Sequence, residues 1–191
     1  MAEQQATQAQ GHRQSRPPRR DNRRDVPQEP KEFDEIVINI DRVARVVKGG
    51  RRFRFKALVV VGNHKGKVGV GVSKGGDVQT AIAKATDVAK KNLIVVPIAN
   101  DTIPHDAEVK VSGAQVLIKP AAPGTGIIAG GVVRQVIGVT GIRNMLSKSL
   151  GSTNKVNIAY ATIDALKSLV PREQWLNADK KPAKKAKKES E

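Results

Sequence analysis

The sequence predicts an α+β protein of two successive units, a three-stranded sheet closed by one helix and then a smaller sheet with helices on one face. Three observations carry this expectation. Apolar and polar residues alternate with a period of two across 51–61 and 67–72, the pattern of half-buried strands. Apolar residues recur at helical spacing in 78–89 and again in 156–166, each time after a residue suited to capping, Asp77 and Asn154. Glycine-bearing turns punctuate the strands.

Within 36–47, Ile36, Ile38 and Ile40 share one face before the pattern changes phase near 41–43, which predicts a bulge or kink there. In 51–61, Phe53, Phe55, Ala57, Val59 and Val61 share one face and Arg52, Arg54 and Lys56 begin the other. A half-buried strand with a cationic solvent side is expected. A turn at 62–66 leads to 67–72, where Val68, Val70 and Val72 point one way and Gly69 and Gly71 the other. The next helix buries Val78, Ala81, Ile82, Ala85, Val88 and Ala89 and ends on Lys90 and Lys91, where the helix dipole favours cations. Segments 93–98, 108–111 and 115–119 read as short strands opening a second sheet, the last two turning at Ser112 and Gly113. A loop over 120–131 feeds a short helix over 132–139, and 142–146 fits strand or helix equally. The helix after Asn154 presents Val156, Ala159, Ile163, Leu166 and Val170, and Pro171 ends it or opens a last turn around Trp175.

These elements divide the chain into units at 31–98 and 99–177, between flanks at 1–30 and 178–191 too polar to bury a core and expected to be disordered. Basic residues outnumber acidic ones by 34 to 18, a net charge of +16, so a large polyanion is the expected partner. The flanks hold twelve basic and seven acidic residues, which leaves eleven surplus positive charges on the middle of the chain. The folded part is itself the basic element. Aromatic residues make up only 3%, which disfavours a reader that stacks several splayed bases and favours one that grips a duplex backbone. With no cysteine, disulfides and cysteine-ligated zinc modules are excluded. The apolar run 57–61 is far too short to span a bilayer, and the chain reads as cytosolic and soluble, with no membrane partner.

The cations cluster along the first unit. Lys48, Arg51, Arg52, Arg54, Lys56, Lys65, Lys67 and Lys74 lie on adjoining strands with glycines at the turns, an arrangement suited to phosphates of an RNA duplex. Lys84, Lys90 and Lys91 fit RNA contacts or a solvated helix face equally well. Gly62, Gly66 and Lys67 imitate a phosphate-binding loop, but the spacing is one residue short and Val68 replaces the Mg²⁺-binding hydroxyl, so the segment is read as a hairpin turn. Phe53 and Phe55 resemble the stacking aromatics of an RNA-recognition strand; their parity with Ala57, Val59 and Val61 favours burial instead. Gly124, Gly126, Gly130 and Gly131 precede a helix where an anion could bind, yet the spacing misses the dinucleotide pattern and no acidic residue follows in 144–155; a close-packing surface is preferred. His105, Asp106, Asp101 and Glu108 lack a second histidine at ligand spacing and are read as loop polarity. No catalytic residue, metal ligand or cofactor is assigned.

Several stretches taken together are more specific: 42–53 (RVARVVKGGRRF), 57–62 (ALVVVG), 124–131 (GTGIIAGG), 151–154 (GSTN) and Ala161-Thr162. Their order and spacing resemble the family of bacterial small ribosomal subunit protein five, over about 35–170. That resemblance implies a first domain similar to a double-stranded-RNA-binding fold and a second with a left-handed βαβ crossover. It implies a structural ribosomal-RNA-binding protein at the junction of head and body, ribosome-bound in the cytoplasm, supporting assembly, messenger entry and translational accuracy. Implied partners are ribosomal RNA, messenger RNA near the entry channel and the neighbouring small-subunit proteins four and eight. Arg42, Arg45, Gly49 and Gly50 join the candidate RNA contacts on this ground, with the loop 48–51 reaching toward RNA. Gly124, Gly126, Gly130, Gly131 and Arg134 match the family's surface for protein four. The chain departs from the usual pattern at Asn63, His64, Lys65, Ser73, Gly75, Lys155 and Tyr160. A free-standing duplex-RNA binder and a nucleotide-dependent enzyme are the competing readings; the latter lacks the Gly/Ser-rich phosphate loop.

Overall fold

A computed structural model describes residues 32–175; the flanks expected to be disordered lie outside the described residues. The first sheet runs β1 (Asp34–Val47), β2 (Gly50–Gly62), β3 (Lys67–Gly75) and β4 (Ile94–Val95) in that spatial order, with every neighbouring pair antiparallel. Residues 94–95, expected to open the second sheet, instead add a fourth strand to the first, because they run directly back from helix α1 (Val78–Lys91) along Lys67 and Val68. The second sheet has the order β5 (Ala107–Val111), β6 (Ala114–Pro120), β8 (Met145–Gly151), β7 (Ile127–Ile128). β5 and β6 turn at Ser112 and Gly113 as expected. The loop 120–131 is not wholly irregular: Ile127–Ile128 pairs in parallel with Met145 and Leu146, so β7, α2 (Gly131–Thr140) and β8 form a βαβ unit. That parallel pairing also decides the ambiguous segment near 145 in favour of strand.

The two faces of the first sheet are packed by different means. On one, Ala57, Val59 and Val61 meet Ala81, Ala85 and Ala89 of α1. Gly69 and Gly71 share this face, and a Cβ on either would strike the backbone of Ala89 or Ala85, so glycine here lets the helix lie against the sheet backbone. On the other face, Leu58, Val60, Val68 and Val70 enter a core shared with Val133, Val136 and Ile137 of α2, Ile158 and Leu166 of α3 (Lys155–Lys167), and Val116 and Ile118 of β6. The inner half of β2 is thus buried on both sides, correcting the expectation of a solvent-facing second face; only its outer half, with Arg52 and Arg54, keeps that character. The bulge of β1 falls at Val37–Asn39 rather than 41–43. From Ile40 to Val47 the register is unbroken, and the apolar alternation stops there because the hairpin has left the core.

Asp77 caps α1: its N–H donates to Thr80 Oγ1, whose hydroxyl donates back to the Asp77 carbonyl. Asn154 caps α3 through Oδ1, which accepts from Val156 N–H at 3.1 Å. A last short helix, α4 (Arg172–Trp175), follows Pro171.

Candidate nucleic-acid interface

The β1–β2 hairpin continues past the end of α1. A helix of 14 residues spans about 21 Å, whereas a strand of 13 residues spans roughly 40 Å, so the outer half of the hairpin stands free of the helix. The pairs Arg45↔Arg52, Val43↔Arg54 and Asp41↔Lys56 place these side chains on one face, and the pairing of Lys56 with Lys74 brings β3 to the same side. A groove of about 400 Å³ is lined there by Val43, Arg45, Val47, Arg52, Arg54 and Lys74. Among the described residues, none of these four cations is in an ion pair. Lys56 is different. It binds Asp41 at 2.7 Å, and that ammonium, with the Asn39 amide behind it, holds the Asp41 carboxyl below its usual range. Lys155 Nζ donates to Asn39 Oδ1 at 2.8 Å, tying the start of α3 into the same chain of contacts.

The remaining candidates separate into other places. Lys48 and Gly49 form the two-residue turn at the hairpin tip, where Gly49 has φ +99°, with Gly50 opening the next strand. Arg42 and Arg51 share the opposite face with Phe53. Lys65 and Lys67, though exposed, lie in or next to the turn at the far end of β2, about 40 Å from the tip, and do not join the groove. That turn is anchored to α2: His64 N–H donates to Val139 O and Gly66 N–H to Thr140 O, both at 2.9 Å. A Cβ on Gly62 would strike Val139, so its glycine serves internal packing.

The glycine loop has a different logic. Gly124 and Gly126 adopt φ of +90° and +73°, and both N–H groups donate to Oδ1 of Asn144 at 3.1 Å. Asn144, 7% exposed, organises this loop and was not singled out in the sequence, because nothing local distinguishes it from an ordinary turn asparagine. A Cβ on Gly124, Gly126, Gly130 or Gly131 would meet no atom within 4 Å, so the close packing expected of this surface does not come from within the described residues. Arg134 is exposed in the first turn of α2, its N–H closing on Gly130 O at 2.8 Å. The histidine and carboxylates at 101–108 disperse: His105 Nε2 accepts from Val170 N–H at 3.0 Å and packs beside Trp175, Asp101 lies 3.9 Å from Arg143, and Glu108 accepts from Gln115.

Phe53 is 50% exposed, contrary to its expected burial, whereas Phe55 is partly buried against the α1 cluster with Ala57, Val59 and Val61. The signal was available in the unequal lengths of helix and hairpin. No helix among the described residues is long and apolar enough to cross a membrane.

Residues 33–97 match the family model described as ribosomal protein S5, N-terminal domain, and residues 109–178 the model for ribosomal protein S5, C-terminal domain. The chain is 54% identical over 138 residues to the small ribosomal subunit protein uS5 of Campylobacter jejuni (strain 81-176), covering 72% of this chain and 94% of that one. It is 51% identical over 139 residues to the uS5 protein of Thermotoga maritima, covering 73% of this chain and 78% of that relative.

Proposed function

The chain belongs to the ribosomal protein S5 family, a structural component of the small ribosomal subunit, and we propose that it grips ribosomal RNA by phosphate contacts along the free half of the β1–β2 hairpin. One observation carries this reading: Arg45, Arg52, Arg54 and Lys74 line a single groove with no carboxylate partner among the described residues. Phosphate oxygens supply what that groove lacks.

In this reading residues 31–98 are the RNA-facing domain and 99–177 the protein-facing one. The family resemblance supports a position at the head–body junction in the cytoplasmic ribosome, with proteins four and eight as neighbours, messenger RNA near the entry channel, and roles in assembly and accuracy. The open glycine surface with Arg134 is assigned to protein four, because Gly130 and Gly131, unlike Gly124 and Gly126 with their positive φ, have neither a backbone requirement nor a neighbour within 4 Å to explain them.

The test is binding of the full chain to small-subunit RNA as a function of salt, alongside cosedimentation with small subunits in high salt. Replacing Arg52 and Arg54 by Gln should flatten the slope of log affinity against log salt by roughly 1.4 to 1.8 units, at about 0.7–0.9 per lost phosphate contact. An unchanged slope removes the hairpin groove from the interface.

A further inference from the structure

The face of the hairpin opposite the groove carries a different chemistry. Outward from Phe55, which still packs against the α1 cluster, it presents Arg42, Ala44, Val46, Arg51 and Phe53, and Asp41 points to the other side with Lys56. The Phe53 ring is covered on one side by the Arg42 guanidinium, whose central carbon lies 3.8 Å from the ring centroid. Its cross-strand partner is Ala44, too small to bury it, and Arg51 lies two residues before it on the same face. Parity would put this ring with the core residues Ala57, Val59 and Val61, yet no helix among the described residues packs on it. The result is a solvent-open aromatic ring with a stacked guanidinium and a second arginine on its face. Phosphate binding needs neither the ring nor the stack. A flat nucleobase uses both, since aromatic rings and guanidinium planes each accept a stacked base, while Arg51 stands ready for its phosphate.

We propose that Phe53 and Arg42 form a stacking platform for one unpaired nucleobase of the RNA whose phosphates the opposite face of the hairpin holds. The site rests on the RNA-binding reading above, and it makes the hairpin two-sided: backbone contacts on the Arg45, Arg52, Arg54 and Lys74 face, and a single base on the other. Such a hairpin selects a duplex interrupted by an unpaired residue over a continuous one.

The test uses the full chain and two probes, an RNA duplex with a single bulged 2-aminopurine and the same duplex without the bulge. The bulged RNA should bind roughly fivefold to a hundredfold more tightly, the range of one base–aromatic stack, with quenching of the 2-aminopurine. Phe53→Leu should remove both the preference and the quenching while keeping the melting temperature and the salt slope; Phe53→Trp should keep the preference. Equal binding of both RNAs by the wild type, with the salt slope still sensitive to Arg52 and Arg54, would overturn the platform and leave the phosphate reading standing. An equal loss on both RNAs in Phe53→Leu would make the ring a packing support and would also overturn it. Absence of binding to either RNA would overturn both readings together.

Discussion

At the scale of single residues, this fold turns on where a Cβ can be tolerated. Gly71 is the sharpest case: an added methyl would sit 2.6 Å from Ala89 N and closer still to Ala85 O, and both are helix backbone, which cannot swing aside as a side chain would. Gly71→Ala should therefore lift α1 from the sheet and cost about 1–3 kcal/mol or more in chemical denaturation. Gly76→Ala, with nothing within 4 Å, should stay within about 0.5 kcal/mol of wild type. Equal effects would show that the helix does not depend on this close approach. These two glycines look alike in the sequence, since a glycine required by φ, one required by a neighbour and one required by nothing inside the chain are all the same letter.

At the scale of elements, the glycine loop before α2 shows how function and fold separate. Gly130 is the N-cap of α2, with φ −61° and open space around it. Asp is a better N-cap than Gly by a few tenths of a kcal/mol, because its carboxylate can accept an orphan N–H of the first turn. Gly130→Asp should thus leave the isolated protein as stable as wild type or slightly more so. Within the ribosome it should change the misreading frequency, since it adds charge and bulk to the surface assigned to protein four. Wild-type accuracy in ribosomes carrying the variant would sink that assignment. Gly126, at φ +73°, is a poorer site for this experiment, because any side chain there strains the loop itself.

At the scale of the whole molecule, the two halves share one core. Leu58, Val60, Val68 and Val70 of the first sheet pack with α2, α3 and β6, and the turn at 62–66 is hydrogen-bonded to the end of α2. A fragment of residues 31–98 would expose that whole aliphatic face and should fail to unfold cooperatively. The intact chain should instead melt in one transition, with far-ultraviolet circular dichroism and Trp175 fluorescence coincident. Two separated midpoints would show that the halves are energetically independent despite their contact. The family models nonetheless match the halves separately, at 33–97 and 109–178.

Strand alternation, helix spacing and caps made the main elements legible in the sequence, because each rests on side chains a few residues apart: Val68 with Val70, Ala81 with Ala85, Asn154 with Val156. The surplus of cations on 42–56 was equally plain. Pairing between distant segments was not. That 94–95 completes the first sheet, that 127–128 lies parallel to 145–146, and that Asn144 holds the amides of Gly124 and Gly126 all depend on contacts across the fold, which local periodicity does not encode. The same holds for exposure. Alternation gives Phe53 and Val59 the same face, but only the reach of a 14-residue helix decides that Val59 is buried and Phe53 stands open beside Arg42. The sequence by itself determined the charge, the strands and helices, and the family; the tertiary structure alone decided which sides of those strands meet solvent, because burial is set by what lies across the core and not by the neighbours along the chain.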